Sequence, residues 1–374
     1  MHTEWQRKRS FSDQQTRFIQ AAQAVHAQLA FFPHPLSGPD GEALGTDVAL
    51  VGNPAAKRFM VILSGTHGVE GYYGSDCQTA WLQSAAHQSL PDDVAVLLIH
   101  LINPWGTAWR RRVNEDNIDL NRNYLDFSAP LPVNAAYEQV HDIYACPTLE
   151  GPARTAADHK LAEWIQKLGW AGFGSITEAG QYQHADGFFY GGQSASWSNR
   201  TLHAILQQYL AQAGVAMCFD LHSGAGAYGH PMLMTIAKSP YPAFAEAQAC
   251  FGPWLYAIFT QTPAKTDSGV VPNATGYTSQ ALLDALPHVQ VLPMVIECGS
   301  FDPASIHTAL RNDHWLHLFG QPNTPAGKAI SQHLLDQFLP PDPDWHELVH
   351  LRVRQILAHA LACLPGIHPA VNKG

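Results

Sequence analysis

Residues 59–71 read FMVILSGTHGVEG, an apolar run that passes directly into a glycine-rich loop carrying one histidine and one glutamate. The run 59–63 has the length and the side chains of a buried strand. The glycines permit a tight backbone path, so His67 and Glu70, three residues apart, can converge on one cation. This stretch predicts a strand with two metal ligands at its carboxyl end, and a capped turn is the alternative for the stretch alone.

Similar short apolar runs alternate with longer helical patterns along the chain. The helix candidates include residues 76–86 and 201–213, and the strand candidates are residues 47–51, 59–63, 94–99, 215–221 and 291–297. This alternation predicts an α/β fold with a mixed, mostly parallel twisted sheet and helices on both faces. We expect one catalytic domain over residues 1–374.

Helical patterns also mark both ends of the chain. A capping box at Ser12 and Gln15 opens an amphipathic pattern that predicts a helix over residues 12–31. A proline-rich stretch at 339–344 precedes a terminal helix from 345 to about 364. The residues after this stretch are too few to form a core of their own, so we assign them to the same domain.

The composition is that of a compact enzyme, with 46% hydrophobic and 14% charged residues. A formal net charge of -10 argues against nucleic acid and anionic membranes as partners. Residues 1–10 show no secretory signal, and no segment has the length and apolarity of a bilayer span, so the expected location is the cytoplasm. The six cysteines form no CxxC pair and are expected to be free thiols.

A second histidine occupies a position like that of His67. Residues 215–221 form an apolar run, and His222 follows it directly before Ser223 and Gly224. Catalytic zinc typically takes three protein ligands and keeps one position open, which His67, Glu70 and His222 would satisfy. Asp220 is either a partner of His222 or part of a structural hydrogen bond.

A third strand candidate ends in Glu297. A carboxylate beside a metal site can accept a proton and pass it to a leaving amine, whereas a solvated strand end is the alternative. Three strands that deliver such groups to their carboxyl ends form the pattern of an active site in an open α/β sheet.

The loop 111–124 adds arginines that can clamp a substrate carboxylate or stabilise an oxyanion, unless it is a solvated basic loop.

A rival zinc motif lies near the carboxyl terminus. His346, Glu347 and His350 satisfy HExxH, in which two histidines one helical turn apart bind zinc. No Asp or Glu follows Glu347, and Ile356 stands where a metzincin has its third histidine. We therefore interpret this segment as a packing helix.

With these elements in order, the sequence resembles the zinc carboxypeptidase family, typified by carboxypeptidase A. It looks closest to a bacterial branch long labelled only as a domain of unknown function. The match runs from about residue 47 to residue 300 and rests on four ordered elements: His67-Gly68-Val69-Glu70, Arg112 with Asp119-Leu120-Asn121-Arg122-Asn123-Tyr124, Asp220-Leu221-His222, and Glu297.

The resemblance implies one zinc ion per chain at His67, Glu70 and His222, with Glu297 as general base and then general acid. It implies that Arg112 polarises the scissile carbonyl, a choice over Arg110 and Arg111 that follows the Arg-to-Asn spacing of murein-peptide amidases in this family. It also implies that Asn121 and Arg122 bind a substrate carboxylate. Digestive members have a mobile tyrosine before the catalytic glutamate, and Tyr277 is the nearest candidate, although its context does not match cleanly.

These features predict a zinc-dependent hydrolase that cleaves an amide or peptide bond next to a residue with a free carboxylate. The expected substrate is a small peptide or an N-acyl amino acid. An aspartoacylase-like deacylase of N-acyl amino acids uses the same residues and remains an alternative. A metal-binding protein without catalysis is disfavoured, because it would need neither Glu297 nor Arg112.

Overall fold

The computed structural model describes residues 9–260 and 274–369, and these contain one eight-stranded sheet. In chain order its strands are β1 (Gln28–Ser37), β2 (Ala43–Gly52), β3 (Arg58–Ser64), β4 (Val94–His100), β5 (Val215–Gly224), β6 (Pro231–Ala237), β7 (Leu255–Phe259) and β8 (Gln290–Gly299). In space the order is β1-β2-β4-β3-β5-β8-β6-β7. The four central strands β4, β3, β5 and β8 are parallel, and antiparallel pairs join them to the outer strands.

The helices of the described residues cover both faces of this sheet. They are α1 (Phe11–Ala24), α2 (Gly71–Gln83), α3 (Pro104–Ala108), α4 (His141–Tyr144), α5 (Pro152–Thr177), α6 (Trp197–Leu210), α7 (Phe244–Phe251), α8 (Thr278–Ala285), α9 (Pro303–Leu318), α10 (Pro325–Phe338) and α11 (Pro343–Cys363). One hydrophobic core contains side chains of α1, α2, α7, α10 and α11, and the other contains side chains of α6 and α8. The predicted α/β class with a mixed, mostly parallel sheet is confirmed.

The strand order makes β3 the point of the sheet at which the chain connections diverge. The chain leaves β3 through α2 and returns as β4 on one side, whereas β5 lies on the other side of β3. Ligands of open α/β sheets bind where connections diverge in this way, at the carboxyl ends of the strands. The ends of β3, β5 and β8 therefore meet at one edge of the sheet.

The predicted helix 12–31 is wrong in its last residues. Helix α1 ends at Ala24, His26 has a positive φ of 56°, and β1 begins at Gln28. The apolar spacing of Val25 and Leu29 also fits a helix, but antiparallel pairing of β1 with β2 decides the conformation of this segment. The predicted terminal helix corresponds to α11, whereas β1, β6 and β7 were not among the predicted strands.

The prediction of free thiols is wrong for two of the six cysteines. Cys250 at the end of α7 and Cys363 at the end of α11 form a disulfide, with their Cα atoms 6.0 Å apart. Their separation of 113 residues in the sequence hides a proximity that helix packing creates. The other four cysteines are free and buried.

Among the helices of the described residues, none combines the length and the apolarity that crossing a bilayer requires. Residues 1–8, on which the expectation about a secretory signal depends, lie outside the described residues.

Helix α9 carries one buried histidine, His314, and two half-buried ones, His307 and His317, which should make the fold sensitive to acid. Burial, aided by nearby arginines, lowers the pKa of His307 to about 3, of His314 to about 3 and of His317 to about 2, from an ordinary value of 6.5. Between these values and pH 6.5 the unfolded chain binds protons that the folded chain does not. The contribution of these three histidines to stability is therefore complete above pH 6.5 and should be lost on acidification at about 1.4 kcal/mol per pH unit for each histidine.

Thermal unfolding followed from pH 7 to pH 4 tests this expectation. His314→Asn removes one titrating group and should flatten the pH dependence, whereas the exposed His333→Asn should not change it. An unchanged slope in His314→Asn would contradict this account.

Candidate functional site

The loop after β3 brings His67 and Glu70 to the sheet edge. Gly65 has a positive φ of 74°, which lets the chain turn sharply after the strand. A Cβ on Gly68 would lie 2.1 Å from the carbonyl carbon of Gly106, so only glycine allows the loop to pack against α3. Residues Gly68–Glu70 form a single 3₁₀ turn that leads into α2. The local sequence thus places both side chains on the same side of the loop.

Ligand atoms of three side chains converge at this edge. His67 Nδ1 lies 2.8 Å from Glu70 Oε1, His222 Nδ1 lies 2.9 Å from Glu70 Oε2, and the two Nδ1 atoms are 3.2 Å apart. All three side chains are buried. Two imidazole nitrogens and a carboxylate that face one point form the donor set that zinc prefers, and the group fits a single ion.

Two carboxylates lie behind the imidazoles. Asp119 Oδ1 is 3.3 Å from His67 Nε2, and Asp220 Oδ2 is 3.0 Å from His222 Nε2. A carboxylate at the far nitrogen keeps the proton there and directs the lone pair of Nδ1 toward the metal position. Asp220 also accepts a hydrogen bond of 2.9 Å from Thr66 Oγ1, so it has both of the roles weighed for it.

The charges of these groups favour a cation at the convergence point. Burial raises the pKa of Glu70, but His67 and His222 outweigh it and hold that pKa below its usual range. Burial lowers the pKa of His222, but Asp220 and Glu70 outweigh it and raise that pKa well above its usual range. The surroundings thus stabilise positive charge between these side chains, which a divalent ion would supply.

Glu297 lies beside the triad because β5 and β8 are in register. His222 and Glu297 are direct partners in this parallel pair. The backbone N–H of Ala225 donates a hydrogen bond of 2.9 Å to Glu297 Oε1, which holds the half-buried side chain. Burial and the nearby Glu70 carboxylate raise the pKa of Glu297 to about 8. A carboxyl group with such a pKa can both accept and donate a proton near neutral pH.

Of the three consecutive arginines, Arg112 is the one at the site. Its Nη1 lies 3.5 Å from Glu70 Oε1, and its Nε donates a hydrogen bond of 3.0 Å to Asp119 Oδ2. Arg111 instead pairs with Asp313 at 3.2 Å, and Arg110 donates a hydrogen bond to Gln332. Asp119 thus holds both His67 and Arg112, a positioning role that the sequence did not reveal, since its partners lie on other segments.

The residues predicted to bind a substrate carboxylate lie on the next part of this loop. Arg122 is buried and donates hydrogen bonds to the backbone carbonyls of Glu178 and Asn121. Asn121 Oδ1 accepts hydrogen bonds from the backbone N–H of Thr278 at 2.9 Å and from its hydroxyl at 2.7 Å. The ring of Tyr277 lies 5.1 Å from the Arg122 guanidinium carbon.

An aromatic residue that the sequence analysis missed also faces these arginines. The ring centre of Phe189 is 5.2 Å from the guanidinium carbon of Arg112 and 5.7 Å from that of Arg122. Phe189 has a positive φ of 48°, an uncommon conformation for an aromatic residue. No pattern in the sequence indicates this contact.

The HExxH segment is part of α11 and does not form a ligand triad among the described residues. His346 is buried and packs at the edge of Trp345, whereas Glu347 is exposed. Burial lowers the pKa of His346 to about 4. These positions agree with a packing role for the segment.

Several solved structures are similar to this chain. The carboxypeptidase A of Helicoverpa armigera is 12% identical with a TM-score of 0.46, and the match covers 96% of this chain and 75% of that one. The metallo-carboxypeptidase of Burkholderia cenocepacia is 14% identical with a TM-score of 0.36, covering 91% and 69%. The succinylglutamate desuccinylase of Chromobacterium violaceum is 15% identical with a TM-score of 0.35, covering 87% and 74%.

No curated protein matches the sequence. The sequence profile of one family matches residues 8–352, which include every residue of the site described above. The chain therefore belongs to the family described as "Protein of unknown function (DUF2817)".

Proposed function

We propose that this protein is a zinc-dependent hydrolase that cleaves an amide or peptide bond next to a residue with a free carboxylate. The observation that carries the proposal is the convergence of His67 Nδ1, His222 Nδ1 and Glu70, with Glu297 in register beside them. A structural metal site needs no adjacent acid with a raised pKa, whereas hydrolysis does.

His67, Glu70 and His222 would hold the ion. Zinc bound there would polarise a carbonyl and make a water molecule acidic. Glu297 would accept a proton from the attacking water and later donate it to the leaving nitrogen. The Ala225 N–H supports this role because it fixes one carboxylate oxygen and leaves the other for proton transfer.

Arg112 would stabilise the negative charge that develops on the carbonyl oxygen. Its hydrogen bond to Asp119 fixes the guanidinium next to the triad before the substrate binds. Burial opposes the charge, but Asp119 and Glu70 outweigh it and raise the pKa of Arg112, so this group stays protonated.

Arg122 and Asn121 would receive the free carboxylate, with Tyr277 beside them. The hydrogen bonds of Arg122 to the backbone carbonyls of Glu178 and Asn121 occupy three of the five N–H groups of its guanidinium. The other two N–H groups belong to a guanidinium that these hydrogen bonds hold in place, which suits a bidentate pair of hydrogen bonds to a carboxylate. An N-acyl amino acid and a small peptide both present such a carboxylate, so an aspartoacylase-like deacylation uses the same residues.

We predict that His67→Ala and His222→Ala each remove the zinc ion held at this site and abolish hydrolysis. Each variant deletes one of three protein ligands from a buried site. Elemental analysis of the purified chain measures the loss. His346→Ala and His350→Ala serve as controls and should retain this ion; loss of zinc in the controls alone would overturn the assignment in favour of the HExxH motif.

Glu297→Gln should retain the metal and the fold but lose turnover by about 100-fold to 10,000-fold, since an amide cannot take up the proton. Steady-state rates on short peptides with a free carboxyl terminus and on N-acyl amino acids measure the effect, and the better series identifies the reaction. The exposed Glu347→Gln is the matched control for the loss of a glutamate carboxylate. Near-normal turnover in Glu297→Gln would remove this residue from the mechanism.

The two arginines should differ in their kinetic effects. Arg122→Ala should raise KM and erase the preference for a free acid over the matching amide, because this contact is present in ground and transition states alike. Arg112→Ala should lower kcat, since its partner oxygen is charged only in the transition state.

The exposed Arg200→Ala is the matched control for the loss of an arginine. A thermal melt of each variant separates a binding role from a structural one. A stable Arg122→Ala protein that keeps its preference for the acid would end the carboxylate-clamp proposal.

A further inference from the structure

A second group of metal-binding side chains lies outside the catalytic site. It consists of His141, His184, Asp186 and Glu138, which we call the outer cluster. The two imidazole rings stack with their centres 3.8 Å apart. His184 Nε2 lies 2.8 Å from Glu138 Oε1, and His141 Nε2 lies 3.6 Å from Asp186 Oδ1.

Two neighbouring segments build the outer cluster. Glu138 is on the 3₁₀ turn Tyr137–Gln139 and His141 opens α4, so their side chains are three residues apart along one helical path. His184 and Asp186 are on a turn that Gln181 organises. The Gln181 side chain accepts a hydrogen bond from the His184 N–H at 2.8 Å and donates one to the His184 carbonyl at 2.7 Å.

We propose that the outer cluster binds one divalent transition-metal ion of the zinc class. Two imidazoles and the carboxylate of Asp186 are a donor set that suits zinc, with Glu138 as the ion-pair partner of His184. Ligand atoms about 2.1 Å from a tetrahedral ion lie about 3.4 Å from one another. The 3.6 Å between His141 Nε2 and Asp186 Oδ1 is close to that separation. His141, His184 and Asp186 each offer a ligand atom, all within 4.8 Å of one another.

Protein contacts alone leave this group incompletely satisfied. His141 Nδ1 is buried and has no hydrogen-bond partner among the described residues. The carboxylate groups of Glu138 and Asp186 remain half exposed, with side-chain exposures of 54% and 55%, so the cluster is open to an ion from solvent. An ion would hold both imidazoles and the carboxylate of Asp186 through one centre.

The turn that carries His184 and Asp186 connects the outer cluster to the catalytic site. The Asn117 side chain donates hydrogen bonds to the carbonyls of Ala185 and Gly187, both at 2.9 Å. The chain then reaches Phe189, whose ring faces Arg112 and Arg122. A metal on Asp186 and His184 would therefore stiffen the turn that positions this ring, away from any contact with the substrate.

Zinc binding by the protein with both His67→Ala and His222→Ala tests the proposal, because these substitutions empty the first site. This double variant is the background protein for the further substitutions. After removal of metals with a chelator, titration with zinc alone should give about one bound ion per chain. His184→Ala in this background should abolish that uptake, and Glu138→Gln should weaken it by at least about tenfold. The exposed His333→Ala is the control and should bind as the background does.

Amide hydrogen exchange, measured with and without zinc, locates the bound ion in the chain. Zinc should slow amide exchange in residues 181–189 of the background protein but not of the His184→Ala protein. No uptake by a folded background protein, uptake that survives in His184→Ala and His141→Ala, or uptake without protection of residues 181–189 would each overturn the proposal.

This inference does not depend on the proposed function. If replacement of His67 and His222 removed no zinc from the chain, the proposed catalytic site would fail, whereas the loss of zinc caused by His184→Ala would still identify the outer cluster.

Discussion

The buried carboxylate of Glu70 is the constraint around which the site is arranged. Only 2% of this residue is exposed, so its charge must be compensated by protein groups or by an ion. One oxygen contacts His67 and the other contacts His222, while the N–H of Ser223 donates a further hydrogen bond at 3.1 Å. These contacts tie the loop after β3 to the end of β5. A change at Glu70 would therefore affect both strands as well as the metal position.

A second buried carboxylate extends this arrangement to the arginine loop. Asp119 contacts His67 with one oxygen and Arg112 with the other. Burial raises its pKa, but Arg112 and His67 outweigh that effect and hold the pKa well below its usual range. The orientation of a metal ligand and that of the group proposed to stabilise the oxyanion thus depend on one side chain. Since this coupling is present without substrate, the site is organised before binding.

The turn at residues 181–189 also helps to position the groups of the site. It carries Phe189 to the two arginines, and the outer cluster lies at its other end. His314 on α9 contacts the carbonyl of Asp186 at 2.9 Å, so the acid-sensitive helix and this turn are packed together. Two changes would consequently act on the turn at residues 181–189, which carries Phe189 to the site. They are protonation of the α9 histidines and loss of an ion from the outer cluster.

The sequence by itself determined the α/β class, the five strands β2, β3, β4, β5 and β8, and the chemistry of the main groups. Apolar runs that end in His67, His222 or Glu297 specify both a strand and a functional group within a few adjacent residues. Only the tertiary structure decided that Asp119 holds both His67 and Arg112, and that the turn bearing Phe189 meets the segment of Glu138 and His141 in the outer cluster. It also decided the end of α1 and the Cys250–Cys363 pair. The physical reason is the distance along the chain over which each effect acts. Strand and loop propensities act between near neighbours, whereas these contacts join segments that become adjacent only when the sheet and its helices pack.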